Sequence, residues 1–156
     1  MKIMTRTKTT LLAVLMLLGA GIVATNPAFA YFSASDFSTI DCSGLIDPDD
    51  VRFSQDSISA NFSDQKPVKD LIDGLKDGSV KPSDVPAIRI VKVDPKQVVK
   101  SGGNEVAAGV YTIDNRRLYA FQQAGKNIPC TKLDSIPENQ KFKFTTDNDG
   151  TSIRVR

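Results

Sequence analysis

The first thirty residues decide how much of this chain is left to fold. Lys2, Arg6 and Lys8 precede Leu11 to Ala24, an uncharged apolar stretch of 14 residues, and Asn26-Pro27 then leads into Ala28-Phe29-Ala30. A basic start, a short apolar run and an A-x-A site, in that order, read as a secretory signal cleaved after Ala30. The run is shorter than the ~20 residues that span a bilayer. No Cys follows it at the cleavage site, which argues against a lipid anchor; the alternative is an uncleaved membrane anchor. On the signal reading the folded part starts at Tyr31 and the protein is secreted or periplasmic, free of the membrane once cleaved. What remains is one domain's worth of chain.

Composition narrows the chemistry. With 40% hydrophobic and 24% charged residues the chain is globular. It contains no His. A Ser-His-Asp triad, a Cys-His dyad, a His-metal nuclease site and a His-ligated zinc site therefore cannot be built from this chain alone. Two Cys are too few for an all-Cys zinc site, and no metal-ligand set is read from the sequence. In an exported protein Cys42 and Cys130 are an even pair that an oxidising compartment would allow to bond. A bridge closing a loop of that length would stabilise the fold by ~4 kcal/mol. Two separate buried thiols are the alternative, because spacing alone does not bring the two side chains together.

Charge is uneven. Without the signal, 17 bases face 18 acids, a net charge of −1. Residues 31–86 carry 5 bases against 11 acids, and residues 87–156 carry 12 against 7. A basic half favours phosphate or nucleic acid through its local field. The plainer reading, preferred on composition, is that the two halves attract each other within one fold.

Residues 31–46 lack periodicity and read as a leader arm, with a domain over 47–156. Val51 to Ser54 alternates and reads as a short strand. Asp64 or Gln65 can cap a helix near Pro67, whose apolar face is Val68, Leu71, Ile72 and Leu75, and which Gly78 stops. Ile88 to Val93, Val110 to Ile113 and Ile128 to Leu133 read as strands. Pro95 to Ala108 is an insertion with a Ser101-Gly102-Gly103-Asn104 tip. A helix spans Asn115 to Ala124, ended by Gly125. Lys141 to Thr145 and Ser152 to Arg156 both alternate around Asp149-Gly150, a strong hairpin marker. Asp147-Asn148-Asp149-Gly150 reads as a turn rather than a calcium loop, which would need further acids. The fold class expected is α+β: a small mixed β-sheet with two main helices and a C-terminal β-hairpin.

One local feature calls for a cause. Asp114 or Asn115 can cap the second helix, but Arg116 and Arg117 follow in its first turn. A helix start carries about half a positive charge, so each exposed Arg there costs ~0.3–1 kcal/mol. An anion would remove that cost, and free amides with two guanidinium forks suit a phosphate. Alternatively Asp114 and a second acid neutralise the pair internally.

The segment Tyr111-Thr112-Ile113-Asp114-Asn115-Arg116-Arg117-Leu118-Tyr119-Ala120-Phe121 resembles the strand, "DNRRL" turn and helix of the ParB/sulfiredoxin-like superfamily. It looks most like the toxin-type domains at the C-termini of bacterial Rhs-repeat and other polymorphic toxins. Asp50 to Gln55, Pro86 to Ile90 and Phe144 to Arg156 fit the same pattern, so the resemblance covers roughly residues 46–156. It implies that the turn after the strand holds phosphate. Here that turn keeps Arg but lacks the Gly, Cys and His of the nucleotide-holding branches, and with them the reactive Cys of sulfiredoxin chemistry.

The resemblance implies a nuclease-like activity on nucleic acid, with a small immunity protein as a partner. In that role Arg116 and Arg117 would clamp a phosphate, Asp114 would be a general base or a metal ligand, and Asn115 would position the backbone. Arg52, Gln55, Arg89, Lys143 and Thr146 are candidates for the rest of the pocket. A metal cofactor such as Mg²⁺ is left open; it would need carboxylates, and the turn offers Asp114 alone. That incomplete set favours a second reading, a non-catalytic module for nucleotide, nucleic acid or a protein partner. A third makes Asp-Asn-Arg-Arg an internal lock of a structural protein.

Overall fold

A computed structural model describes residues 37–94 and 105–156. The signal and the 101–104 tip lie outside the described residues. Chain order is β1 (Leu45–Ile46), β2 (Arg52–Phe53), β3 (Ser57–Ile58), α1 (Val68–Asp77), β4 (Ile88–Val93), β5 (Gly109–Thr112), α2 (Asn115–Ala124), β6 (Ile128–Leu133) and β7 (Arg154–Val155). Short 3₁₀ turns cover Pro48–Asp50, Pro82–Asp84 and Glu138–Lys143. The architecture is α+β. Five strands form a mixed sheet in the order β1-β6-β4-β5-β2, and β3 and β7 form a separate parallel pair. Within the sheet β4 runs antiparallel to β5 and parallel to β6, β2 is parallel to β5, and β1 is antiparallel to β6. No helix among the described residues is long and apolar enough to cross a membrane.

The centre of the sheet is covered on both faces, so β4 and β5 bury apolar side chains on each side. Ile88, Ile90 and Val110 face a core shared with Leu75 of α1 and with Leu118 and Phe121 of α2. Val91, Val93 and Tyr111 point the other way, onto Ile113, Ile136 and Phe144. Successive side chains alternate across a strand, and that alternation separates the two clusters. Both helices end where glycine supplies a left-handed residue, Gly78 at φ 81° and Gly125 at φ 62°. α1 starts after Pro67 with no side-chain cap; the Asp64 carboxylate instead accepts from the Lys66 amide within the preceding turn.

Residues 40–46, read from sequence as part of an arm, belong to the domain. Ile40 and Ile46 lie in the core, β1 extends the sheet, and Cys42 is bonded to Cys130 on β6.

The C-terminal hairpin is not formed. Lys141 and Lys143 lie in the 3₁₀ turn, and Arg154–Val155 pairs with β3. The cause is competition for backbone partners. The Thr145 and Thr146 amides both donate to the Ser54 carbonyl, at 2.9 and 3.0 Å, and the Phe53 amide donates to the Gly150 carbonyl at 3.0 Å. The Asp-Gly turn therefore docks on the end of β2. Gly150 sits at φ 72°, and a Cβ there would lie 2.2 Å from the Phe53 carbonyl oxygen, so the close approach admits only glycine.

Candidate functional site

Thr112 ends β5 and Asn115 begins α2, so residues 113–114 turn the chain at the end of an interior strand. The helix mouth opens beside β4 and the β2–β3 link. The Asp114 side chain does not cap the helix. Its carboxylate turns to Arg89 on β4, accepting from Nε at 2.9 Å, from Nη2 at 2.7 Å and from the Arg89 amide at 2.9 Å. The strand that carries Arg89 thus supplies a counter-ion and an amide at one point, which is a stronger match than a cap. The Asp114 side chain is buried, with 8% of it exposed. Burial pushes its carboxyl up, but the Arg89 hydrogen bonds and the nearby Arg117 charge outweigh that, and the net shift is downward. The same pair raises Arg89 above its ordinary value, chiefly through the hydrogen bond.

Asn115 is buried and joins α2 to the β2–β3 link. Its Oδ1 accepts from the Ser54 amide at 2.8 Å, and its Nδ2 donates to Ser54 Oγ at 2.9 Å and to Gln55 Oε1 at 3.0 Å. Gln55 is thereby held at the rim of the helix mouth.

The two arginines part company. Arg116 donates to the Asn61 carbonyl at 2.5 Å and to Ser63 Oγ at 3.4 Å, with its guanidinium over the Phe62 ring at 5.9 Å. Arg117 donates to the Ala87 carbonyl at 2.9 Å and the Pro86 carbonyl at 3.3 Å, and stands 3.9 Å from Asp114. Carbonyls accept hydrogen bonds but bring no negative charge. Arg116 is thus held by neutral groups, and Arg117 shares the one Asp114 carboxylate with Arg89, so the pair's charge is only partly offset. Among the described residues no ion pair includes Arg116.

Lys143 completes the cluster from the far side, reaching the Ile113 carbonyl with Nζ at 2.7 Å. Its ammonium titrates below the ordinary lysine value. Burial is the main cause and Arg89, Arg116 and Arg117 add to it, while Asp114 opposes.

These groups line one cleft of about 420 Å³. Four cations, Arg89, Arg116, Arg117 and Lys143, face a single carboxylate, Asp114, for a net charge of +3 at its wall. The helix mouth adds its dipole, although the Arg117 amide of the first turn already donates to the Asp114 carbonyl at 3.0 Å. Gln55, Asn115, Ser63, Phe62, Ile113 and Phe142 complete the lining. Of the residues singled out in the sequence, Gln55, Arg89, Asp114, Asn115, Arg116, Arg117 and Lys143 line this cleft together.

Two other candidates are not brought in. Arg52 lies against Tyr111, 5.9 Å from its ring, and donates to the Asp149 carbonyl at 3.2 Å. Thr146 is fully buried, and its hydroxyl accepts from the Gly150 amide at 2.7 Å. Its bonds hold the docked turn. Phe62, Ser63 and Phe142 were not expected at the cleft. Residues 57–62 carry no clear period, and strict alternation would have put Phe142 on the same face as Phe144.

Compared with protein-family models, curated proteins and solved structures, the chain matches none.

Proposed function

We propose that the chain is an exported phosphate-binding module of the ParB/sulfiredoxin-like kind, which holds nucleic acid or nucleotide in the cleft at the start of α2. One observation carries this reading: the +3 wall, in which four cations share the single carboxylate of Asp114 and Arg116 and Arg117 make their hydrogen bonds to carbonyls and a hydroxyl. Building such a concentration of charge is unfavourable without a counter-anion, and phosphate oxygens fit guanidinium forks and helix amides together. The resemblance of residues 111–121 to the phosphate-holding turn of that superfamily supports the same reading. The Cys42–Cys130 bond is compatible with an oxidising compartment.

Binding fits the geometry better than cleavage. A nuclease reading makes Asp114 the general base or metal ligand, but its carboxylate is occupied by three N–H donors and is a weakened base. Among the described residues no group of three or more acids or cysteines is placed to hold a metal ion.

The test is titration of labelled oligonucleotides and pyrophosphate at increasing salt. Affinity is expected to fall with log salt with a slope of about −2, from roughly 0.7 per neutralised phosphate and three spare charges. The double variant R116A/R117A is expected to lose most of that slope. Incubation with DNA and RNA, with and without Mg²⁺, is expected to leave both intact. Salt-independent binding, or none, removes the reading; Mg²⁺-dependent cleavage restores the nuclease.

A further inference from the structure

Few large apolar side chains are exposed among the described residues, and one of them stands at the cleft. Phe142 is 62% exposed and lines the cleft next to Lys143. Its near neighbour in sequence, Phe144, is fully buried. The 3₁₀ turn over Glu138–Lys143 is what separates their fates, by sending one ring under the sheet and the other outward. A lone exposed apolar residue is ordinary on a protein surface. A phenyl ring at the lip of a +3 cleft is a different case, because a bare phosphate gives it nothing to touch. Phe62 lines the same cleft beneath the Arg116 guanidinium.

Cations that meet a backbone phosphate beside an aromatic face that meets a base are the means by which single-stranded nucleic acid is held without sequence reading. Size points the same way. A cleft of about 420 Å³ is in the range that takes one small ligand, of the order of one nucleotide, and a stacked duplex offers no free base face there. A phosphate-only site would need no apolar lip, and an acidic peptide would gain little from a ring beside its carboxylates.

We infer that the cleft takes an unpaired nucleotide, its phosphate on Arg116, Arg117 and Lys143 and its base stacked on Phe142. This rests on the phosphate-binding reading and adds strand preference to it. Phe142 is then the residue that discriminates single strand from duplex.

The experiment uses the exported protein with its disulfide intact. Fluorescence anisotropy compares a labelled single-stranded oligonucleotide, a duplex of the same composition and a mononucleotide as competitor, for wild type, F142A and F142W. The single strand is expected to bind about tenfold tighter than the duplex. F142A is expected to lose about tenfold on the single strand while leaving pyrophosphate competition unchanged, and F142W to retain wild-type affinity. A mononucleotide that competes as well as a matched length of strand identifies a free nucleotide as the ligand; weaker competition identifies the strand. Either agrees with the assignment. Equal binding of duplex, an F142A variant indistinguishable from wild type, or equal competition by polyglutamate overturns the role of Phe142 and leaves the phosphate reading standing. Failure of every phosphate ligand to bind overturns both.

Discussion

Asp114 and Asn115 show how one turn can hold a fold together and shape a cleft. Neither spends its side chain on the helix they begin. Asp114 binds Arg89 on β4 and Asn115 binds the β2–β3 link, so the start of α2 is fastened to one sheet strand and one connection. Replacing Asp114 with Asn removes the charge while keeping the shape, and leaves Arg89 without its counter-ion. D114N is expected to lower stability by about 2 kcal/mol at neutral pH, the scale of hydrogen bonds to a charged group. The pH dependence follows from the direction of its shift. Because the folded carboxyl titrates below its ordinary value of about 4, its contribution is complete above that value and is lost as pH falls through the lowered one. Urea unfolding at neutral and at acid pH checks this: the gap between wild type and D114N should close in acid. A gap that is constant with pH would mean that the pair contributes packing alone.

At the scale of elements, the two phenylalanines of the last turn should behave in opposite ways. Phe144 is buried 5.9 Å from the Tyr111 ring, so F144A is expected to cost about 4 kcal/mol. F142A should change stability by no more than ~0.5 kcal/mol. Thermal unfolding of the two variants separates them, and a large loss in F142A would show that its ring is structural. The same segment marks the limit of what the sequence revealed. β4, β5, α2 and β6 were readable because alternation or helical spacing runs up to a glycine, a proline or a polar turn at each end. Lys141 to Thr145 alternates as clearly, yet Lys141–Lys143 lies in a 3₁₀ turn and the Thr145 amide donates to Ser54 rather than to residues 152–156. Alternation fixes which side chains share a face, not which distant carbonyl takes an amide. The cleft divides along the same line. Arg116 and Arg117 stood out in the sequence as two bases in a helix's first turn, while Phe62 and Ser63 carried no such signal and entered through Arg116.

For the molecule as a whole, net charge is a poor guide. The chain after Ala30 sums to −1, from 17 bases and 18 acids, while the cleft wall carries +3. The acidic and basic halves touch through one described ion pair, Arg154–Asp56; the other described pairs lie within a half. Much of the basic excess is thus spent on one place rather than on holding the halves together, and attraction for an anion should be short-ranged and sensitive to salt. The disulfide is the other whole-molecule device. It joins the segment before β1 to β6 across 88 residues. Reduction is expected to cost ~4 kcal/mol in denaturant unfolding, with the double variant C42S/C130S matching the reduced protein. An unchanged midpoint would mean that the bridge adds nothing to the core already around it.

The pairing of β3 with β7 carries a consequence for how the proposed binding surface comes into being. Asp56, 98 residues before its partner Arg154, begins the stretch that leads to Asn61 and Ser63, the anchors of Arg116. A chain emerging from a ribosome or a translocase would already display its arginines, yet the wall that aims them would lack its latch. Competence to capture a guest should therefore arrive late and all at once, sparing the half-made protein from premature entanglement with the polyanions it passes.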